Sequence, residues 1–178
     1  MKGREPVVLS LSEWWTPATD YPEAQVGSFR IKRVKYRPGY YDCYGVNGVD
    51  LVEVTKTILI TCLQEYRDKS WHGWMVDDPP HWWAMQAYAR ASKGRVLTAG
   101  LGLGLYVRAC SSPEVESITV VERADEVQVL TSGPLGYPPV HGMPFPEKAG
   151  VISADFYDYL EAHSGFDAHL SRHLPAKP

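Results

Sequence analysis

The chain predicts an α/β protein, with a Rossmann-like parallel sheet in its second half and a small antiparallel β region ahead of it. Three observations carry this expectation. From Arg95 onward, short apolar runs alternate with helical patterns: Val96–Ala99, Leu105–Cys110, Ser117–Val121, Asp125–Leu130, Gly150–Ser153 and Phe156–Ala162. Strands separated by helices in this way pair in parallel. A glycine turn, Gly100–Leu101–Gly102–Leu103–Gly104, directly follows the first run, and Glu122 closes the second. Glycine lets the backbone approach a ligand at such a turn, and a carboxylate at the next strand end can accept hydrogen bonds from both hydroxyls of a ribose. Before these, between Ser28 and Val76, the pattern has period two instead, which suits half-buried antiparallel strands.

Taken in order, residues 1–27 hold Pro6, Pro17, Pro22 and Gly27 and read as an irregular lead-in. The adjacent Trp14 and Trp15 within it are too apolar to be left in water and are expected to pack on the body or on a partner. Ser28–Tyr36 alternates polar and apolar residues, Pro38–Gly39 marks a turn, and Asn47–Gly48 is a hairpin signal. The β-branched stretch Leu51–Leu63 and the segment Trp71–Val76 complete one small antiparallel sheet over 28–76. Asp77–Asp78–Pro79–Pro80 then opens a helix, because Asp78 can cap free amides and proline is tolerated in a first turn. His81, Trp82, Ala84, Met85, Tyr88 and Ala89 recur at helical spacing to about Ser92, and Lys93–Gly94 ends the pattern. Residues 77–178 are expected to form a Rossmann-like nucleoside-binding region, short at its C-terminus, with a proline- and glycine-rich loop between Pro134 and Pro146.

The totals exclude several classes. A chain of 178 residues can bury a substantial core as one domain, or one with a small appendage. Its 18 Lys and Arg against 21 Asp and Glu leave a net charge of -3, without the basic footprint expected for nucleic acid. The 3 cysteines, Cys43, Cys62 and Cys110, are odd in number and widely spaced, which suits reduced thiols better than disulfides or a zinc site. No signal-type apolar segment opens the chain, and the most apolar stretch, Thr57–Leu63, is too short to span a bilayer. A soluble, cytoplasmic protein without a membrane partner is expected.

The glycine spacing helps choose a ligand. A dinucleotide fingerprint, G-x-G-x-x-G, would need its third glycine at Leu105 or Val107, and a P-loop would need Gly-Lys-Ser/Thr after the turn. Neither is present, so NAD, FAD and P-loop nucleotides are disfavoured. The third strand ends in Asp155–Phe156, where the carboxylate can accept an adenine amino group and Phe156 can lie against the ring. Asp155 can equally cap the helix that follows it.

G-x-G-x-G with an acid at the next strand end is similar to motif I of class I S-adenosylmethionine (SAM)-dependent transferases. The order of the pieces resembles the spermidine synthase-like branch of that superfamily, over roughly Ser28 to Leu160. The likeness is most specific at Arg95–Gly104 and at Val120–Val121–Glu122–Arg123–Ala124–Asp125–Glu126–Val127. It implies a methyltransferase-like SAM-binding protein in which Gly100, Gly102 and Gly104 line the methionine end of the cofactor. Glu122 would hold its ribose and Asp155 would face its adenine. Decarboxylated SAM or a methylthioadenosine-like nucleoside are its alternative ligands.

Departures from that pattern bear on activity. Aminopropyltransferases carry an acid inside the glycine turn where this chain has Leu103, and a catalytic aspartate after the fourth strand where it has Arg172. The acidic segment before the helix keeps its leading acids in Asp77–Asp78 but not the Tyr-His-Glu that follows. Aminopropyl transfer to a polyamine is therefore disfavoured, and no catalytic residue is assigned. Asp78 and His81 remain substrate-side candidates. In the fold that the resemblance implies, the first strand is central and pairs with the fourth, which can be only three or four residues long here. An open strand edge is the expected result, covered by another copy of the chain, by a partner or by the N-terminal β region, unless the chain is a truncated or non-catalytic relative that acts by binding or oligomerising.

Other groupings favour plainer readings. His169 and His173 are four apart and would share a helix face, but no third ligand has suitable spacing. Cys110 has no base nearby in sequence. Arg30, Lys32, Arg33 and Lys35 read as the solvated face of a strand, with a nucleic-acid or partner contact as the alternative.

Overall fold

A computed structural model describes residues 5–10, 13–45, 48–110, 112–131 and 145–170. The first segment is more regular than its prolines suggest. It contains strand β1 (Val7–Leu9), a 3-10 turn at Pro17–Asp20 and strand β2 (Ala24–Val26). Thr16 starts the 3-10 turn: its hydroxyl accepts the Ala18 N–H, while the Thr19 hydroxyl accepts the Thr16 N–H. Pro17 sits at the first turn position, where a missing donor costs nothing.

Five strands follow: β3 (Phe29–Tyr36), β4 (Gly39–Gly45), β5 (Gly48–Val54), β6 (Ile58–Arg67) and β7 (Ser70–Val76). They do not make the single antiparallel sheet expected over 28–76. One sheet runs β2-β3-β6-β7 and is antiparallel throughout. A second runs β1-β5-β4, in which β4 and β5 are antiparallel but β1 is parallel to β5, with Val7 opposite Val52. The cause is non-local. Tyr36 of β3 pairs with Ile58 of β6, so the β4–β5 hairpin lies outside that ladder and is completed by the lead-in strand. Alternation shows that a segment is a strand but not which strand it will pair with. Val46 and the predicted turn residue Asn47 lie outside the described residues, although Gly45 opposite Gly48 closes the hairpin.

Helix α1 (Pro79–Ala91) begins where the sequence indicates, with Asp78 accepting the His81 N–H at 3.1 Å and Pro79 in the first turn. Strand β8 (Gly94–Ala99), helix α2 (Leu105–Ala109), β9 (Val115–Glu122), α3 (Asp125–Thr131), β10 (Ala149–Ser153), α4 (Phe156–Ala162) and β11 (Ala168–Leu170) complete the chain. These strands form a sheet in the order β10-β9-β8-β11, parallel at every pairing. The protein is thus a mixed α/β structure with several sheets, one of them parallel, and its N-terminal region is largely antiparallel. Strand β8 is internal, and the short β11 pairs with it through Ala168 opposite Val96.

One buried cluster runs through all three sheets. Trp14 and Tyr21 of the lead-in, Ile31, Val52, Ile58 and Leu63 of the N-terminal strands, Met85 of α1, and Val96, Leu103 and Ile118 share it. The two tryptophans separate: Trp14 is buried and stacks on Trp83 at 6.3 Å, whereas Trp15 remains 37% exposed. On the opposite face of the parallel sheet, Leu97 and Val121 meet Phe156 of α4 in a smaller cluster. No described helix is long and apolar enough to cross a membrane.

Candidate functional site

The glycine turn sits at the C-terminal end of β8, beside the end of β9. Gly100, Gly102 and Gly104 have φ of 78°, 53° and 66°, the left-handed region where a side chain is strained. Their spacing follows from this backbone path, which doubles the chain back between strand and helix. Gly104 accepts the first bond of α2 from the Arg108 N–H at 3.0 Å, and its own N–H reaches the Leu101 carbonyl at 2.8 Å. Leu101 and Leu103, between the glycines, point into the core and are 4% and 0% exposed.

Glu122 is the last residue of β9 and only 7% exposed. One carboxylate oxygen accepts the Leu101 N–H at 2.8 Å, and the other accepts the Ala124 N–H at 2.9 Å. The Gly100 N–H donates to the Val121 carbonyl at 2.8 Å, joining the same two strand ends. Glu122 therefore clamps the turn. Each carboxylate oxygen has a further lone pair, so this clamp still has capacity to accept from a ligand.

The three glycines differ in what covers them. A side chain at Gly102 would run into the Sδ of Met75 from β7, and that sulfur accepts the Leu103 N–H at 3.2 Å. At Gly104 it would approach the Tyr21 hydroxyl to 3.4 Å. That hydroxyl donates to the Leu103 carbonyl at 3.0 Å and accepts the Arg108 Nε–H at 3.0 Å. At Gly100 the nearest atom is the Glu122 carboxylate, at 3.7 Å, and the position is exposed. The open part of the turn is its Gly100–Glu122 end.

Asp155 and Phe156 follow β10, whose Ser153 is level with Glu122. Asp155 caps α4, its carboxylate accepting the Tyr157 and Asp158 N–H groups at 2.9 and 3.4 Å. Phe156 is 9% exposed and packs on Leu97 and Val121 beneath the sheet. A polar group that the sequence did not single out lies at the same strand ends. Gln128 donates to the Ser153 hydroxyl at 2.6 Å and to the Glu122 carbonyl at 3.2 Å, and Ser153 donates to Asp125. Its signal was the spacing of Asp125 and Gln128, one helical turn apart just after Glu122.

Asp78 and His81 pair with each other at the start of α1. The Asp78 carboxylate contacts the His81 Nδ1 at 2.7 Å as well as capping α1. The charge of Asp78 adds to burial in raising the Tyr36 hydroxyl and in raising the Cys43 thiol to about 12. Its neighbour Asp77 is more deeply placed. It accepts the Thr16 hydroxyl and the Thr61 N–H, both at 2.5 Å, and burial pushes its carboxyl above the usual range. Arg33 completes this network through the Thr61 hydroxyl and the carbonyls of Thr19 and Tyr21.

The remaining candidates resolve in several ways. Arg30, Lys32 and Arg33 do not form one basic face: Arg30 lies over the Trp71 ring at 4.0 Å, Lys32 pairs with Glu23, and Arg33 is committed to the Asp77 network. His169 belongs to strand β11 and not to a helix, because Ala168–Leu170 is drawn into the ladder with β8. His173 and Arg172 lie outside the described residues. No group of three or more His, Cys, Asp or Glu able to hold a metal ion occurs among the described residues. Cys43, Cys62 and Cys110 are free and buried. Comparison with models of known protein families and with curated proteins finds no match to this chain.

Proposed function

We propose that the chain binds an adenine nucleoside of the SAM class at the ends of β8, β9 and β10, as a methyltransferase-like protein with a spermidine synthase-like N-terminal β region. The carrying observation is Glu122, a carboxylate held by two backbone amides beside a left-handed glycine turn whose Gly100 end is open. A ribose is recognised by such an acceptor at the end of the second parallel strand. The third-second-first-fourth order of the parallel strands supports a Rossmann-like reading of this half. Asp155, two residues beyond the β10 residue level with Glu122, offers an acceptor for the adenine amino group. Methyl transfer from a sulfonium relies chiefly on aligning donor and acceptor, so it needs little further side-chain chemistry.

A second reading has a specific observation behind it: Met75 and Tyr21 already cover the Gly102 and Gly104 parts of the turn. This favours a relative that retains part of the pocket and acts by binding or by association with a second copy, as a cytoplasmic protein. Aminopropyl transfer is disfavoured, because the buried Leu103 stands where that chemistry has an acid. Titration calorimetry with SAM and with decarboxylated SAM, on wild type and Glu122→Gln, tests the proposal. Heat from wild type that is lost in the variant supports the nucleoside site, and no heat with either compound refutes it. Binding without turnover of any methyl acceptor favours the second reading.

A further inference from the structure

Met75 reaches the turn through an irregularity in the sheet. It is opposite Leu63 in the β6–β7 ladder, but the next pair is Gly73 with Gln64, so Trp74 is an extra residue on β7. Trp74 stays 46% exposed, edge-on to Phe29, while Met75 joins the buried cluster. A bulge of this kind re-aims neighbouring side chains. Here it accompanies a thioether seated on Gly102 and accepting the Leu103 N–H, an amide of the distal half of the turn that a ligand could otherwise use.

Resting on the nucleoside reading above, we propose that Met75 fills the subsite for the 5′ substituent and makes the pocket selective for nucleosides with a short neutral 5′-thioether. Compounds whose sulfur carries an amino-acid tail are disfavoured. The ribose end, at Gly100 and Glu122, is open, and the tail end is occupied. The groups around the tail end are Leu101, Leu103, Met75, the Arg108 guanidinium and the Tyr21 hydroxyl, which is engaged with Leu103 and Arg108. An α-ammonium group there would meet the like charge of Arg108, while the nearby carboxylates serve other partners: Asp77 holds Thr16 and Thr61, and Glu122 lies at the ribose end, holding Leu101 and Ala124. Burying an unpaired charge is costly, whereas a methylthio group carries none. Methionine is flexible enough to swing aside, but doing so surrenders its contact with the Leu103 N–H.

The test compares 5′-methylthioadenosine with S-adenosylhomocysteine, which share the nucleoside and the thioether and differ in the amino-acid tail. Wild type is expected to bind methylthioadenosine at least about tenfold more tightly, a discrimination of the size one unpaired buried polar group imposes. Met75→Ala is expected to narrow that ratio by improving the homocysteine compound, with methylthioadenosine changed less than about threefold. Met75→Leu retains the bulk and is expected to retain the wild-type preference, so it also reports on folding. Equal affinities in wild type overturn the inference while leaving the nucleoside site standing. An unchanged ratio in a folded Met75→Ala overturns it too. Absence of binding by either compound to wild type and both variants overturns the nucleoside reading itself.

Discussion

Replacing Glu122 by alanine measures how far this carboxylate is a clamp in the absence of any ligand. The substitution orphans the buried Leu101 N–H and the half-buried Ala124 N–H, which it holds at 2.8 and 2.9 Å. A buried donor left unmade costs about 1–3 kcal/mol. The Leu101 amide belongs at the upper end, since its residue is 4% exposed, and water can partly replace the partner of Ala124. Removing a carboxylate that is itself desolvated offsets some of the loss. The net expectation is a destabilisation of about 2–4 kcal/mol. For a chain of this size that is a fall in Tm of about 4–16 °C. Thermal unfolding followed by circular dichroism reads this directly. A melting temperature within about 1 °C of wild type would refute the clamp. It would also mean that the left-handed path of the turn is maintained without Glu122. For this reason Glu122→Gln, which keeps one acceptor oxygen, is the cleaner variant for ligand binding.

Asp77 supplies a pH signature. Burial raises its folded pKa above the ordinary 3.8, so below that value both states hold the proton and the burial penalty is absent. As the pH rises past 3.8 the unfolded chain ionises first, and stability falls until the folded carboxyl has ionised as well. Wild-type stability minus that of Asp77→Asn should therefore decline across this window in denaturant titrations, and a rising difference would contradict burial as the main cause. Gly102→Ala should cost about 1–2 kcal/mol for its left-handed backbone, plus the displacement of Met75. In a Met75→Ala background the second part should vanish, so strictly additive effects in a double-mutant cycle would contradict that contact. All three thiols are raised by burial, Cys43 to about 12. A thiol reagent at neutral pH should label none of the three before unfolding and all of them afterwards, and rapid labelling of the native protein would refute this.

Features determined by a few neighbouring residues were legible in the sequence. The Asp78 cap before Pro79, the Asp155 cap of α4, and the strand–glycine turn–helix passage at 94–109 each depend on local sterics and on bonds spanning three or four residues. Glu122 at the end of β9 was legible for the same reason, from the place where an apolar run stops. The partition of the N-terminal strands into two sheets was not, because β3 pairs with β6 past an intervening hairpin.

The occupancy of the candidate site belongs to tertiary structure alone. Thr16 meets Asp77 from 61 residues away, Tyr21 meets Leu103 from 82, and Met75 meets Leu103 from 28. No local periodicity encodes such contacts. They arise because one core must close around the lead-in, the antiparallel strands and the parallel sheet together, which brings the lead-in and β7 onto the glycine turn. By itself, the sequence determined that a strand runs into a glycine turn and that the next strand ends in an acid. Packing decided that the Gly100 end of that turn faces outward and that its Gly102 end is covered by a thioether.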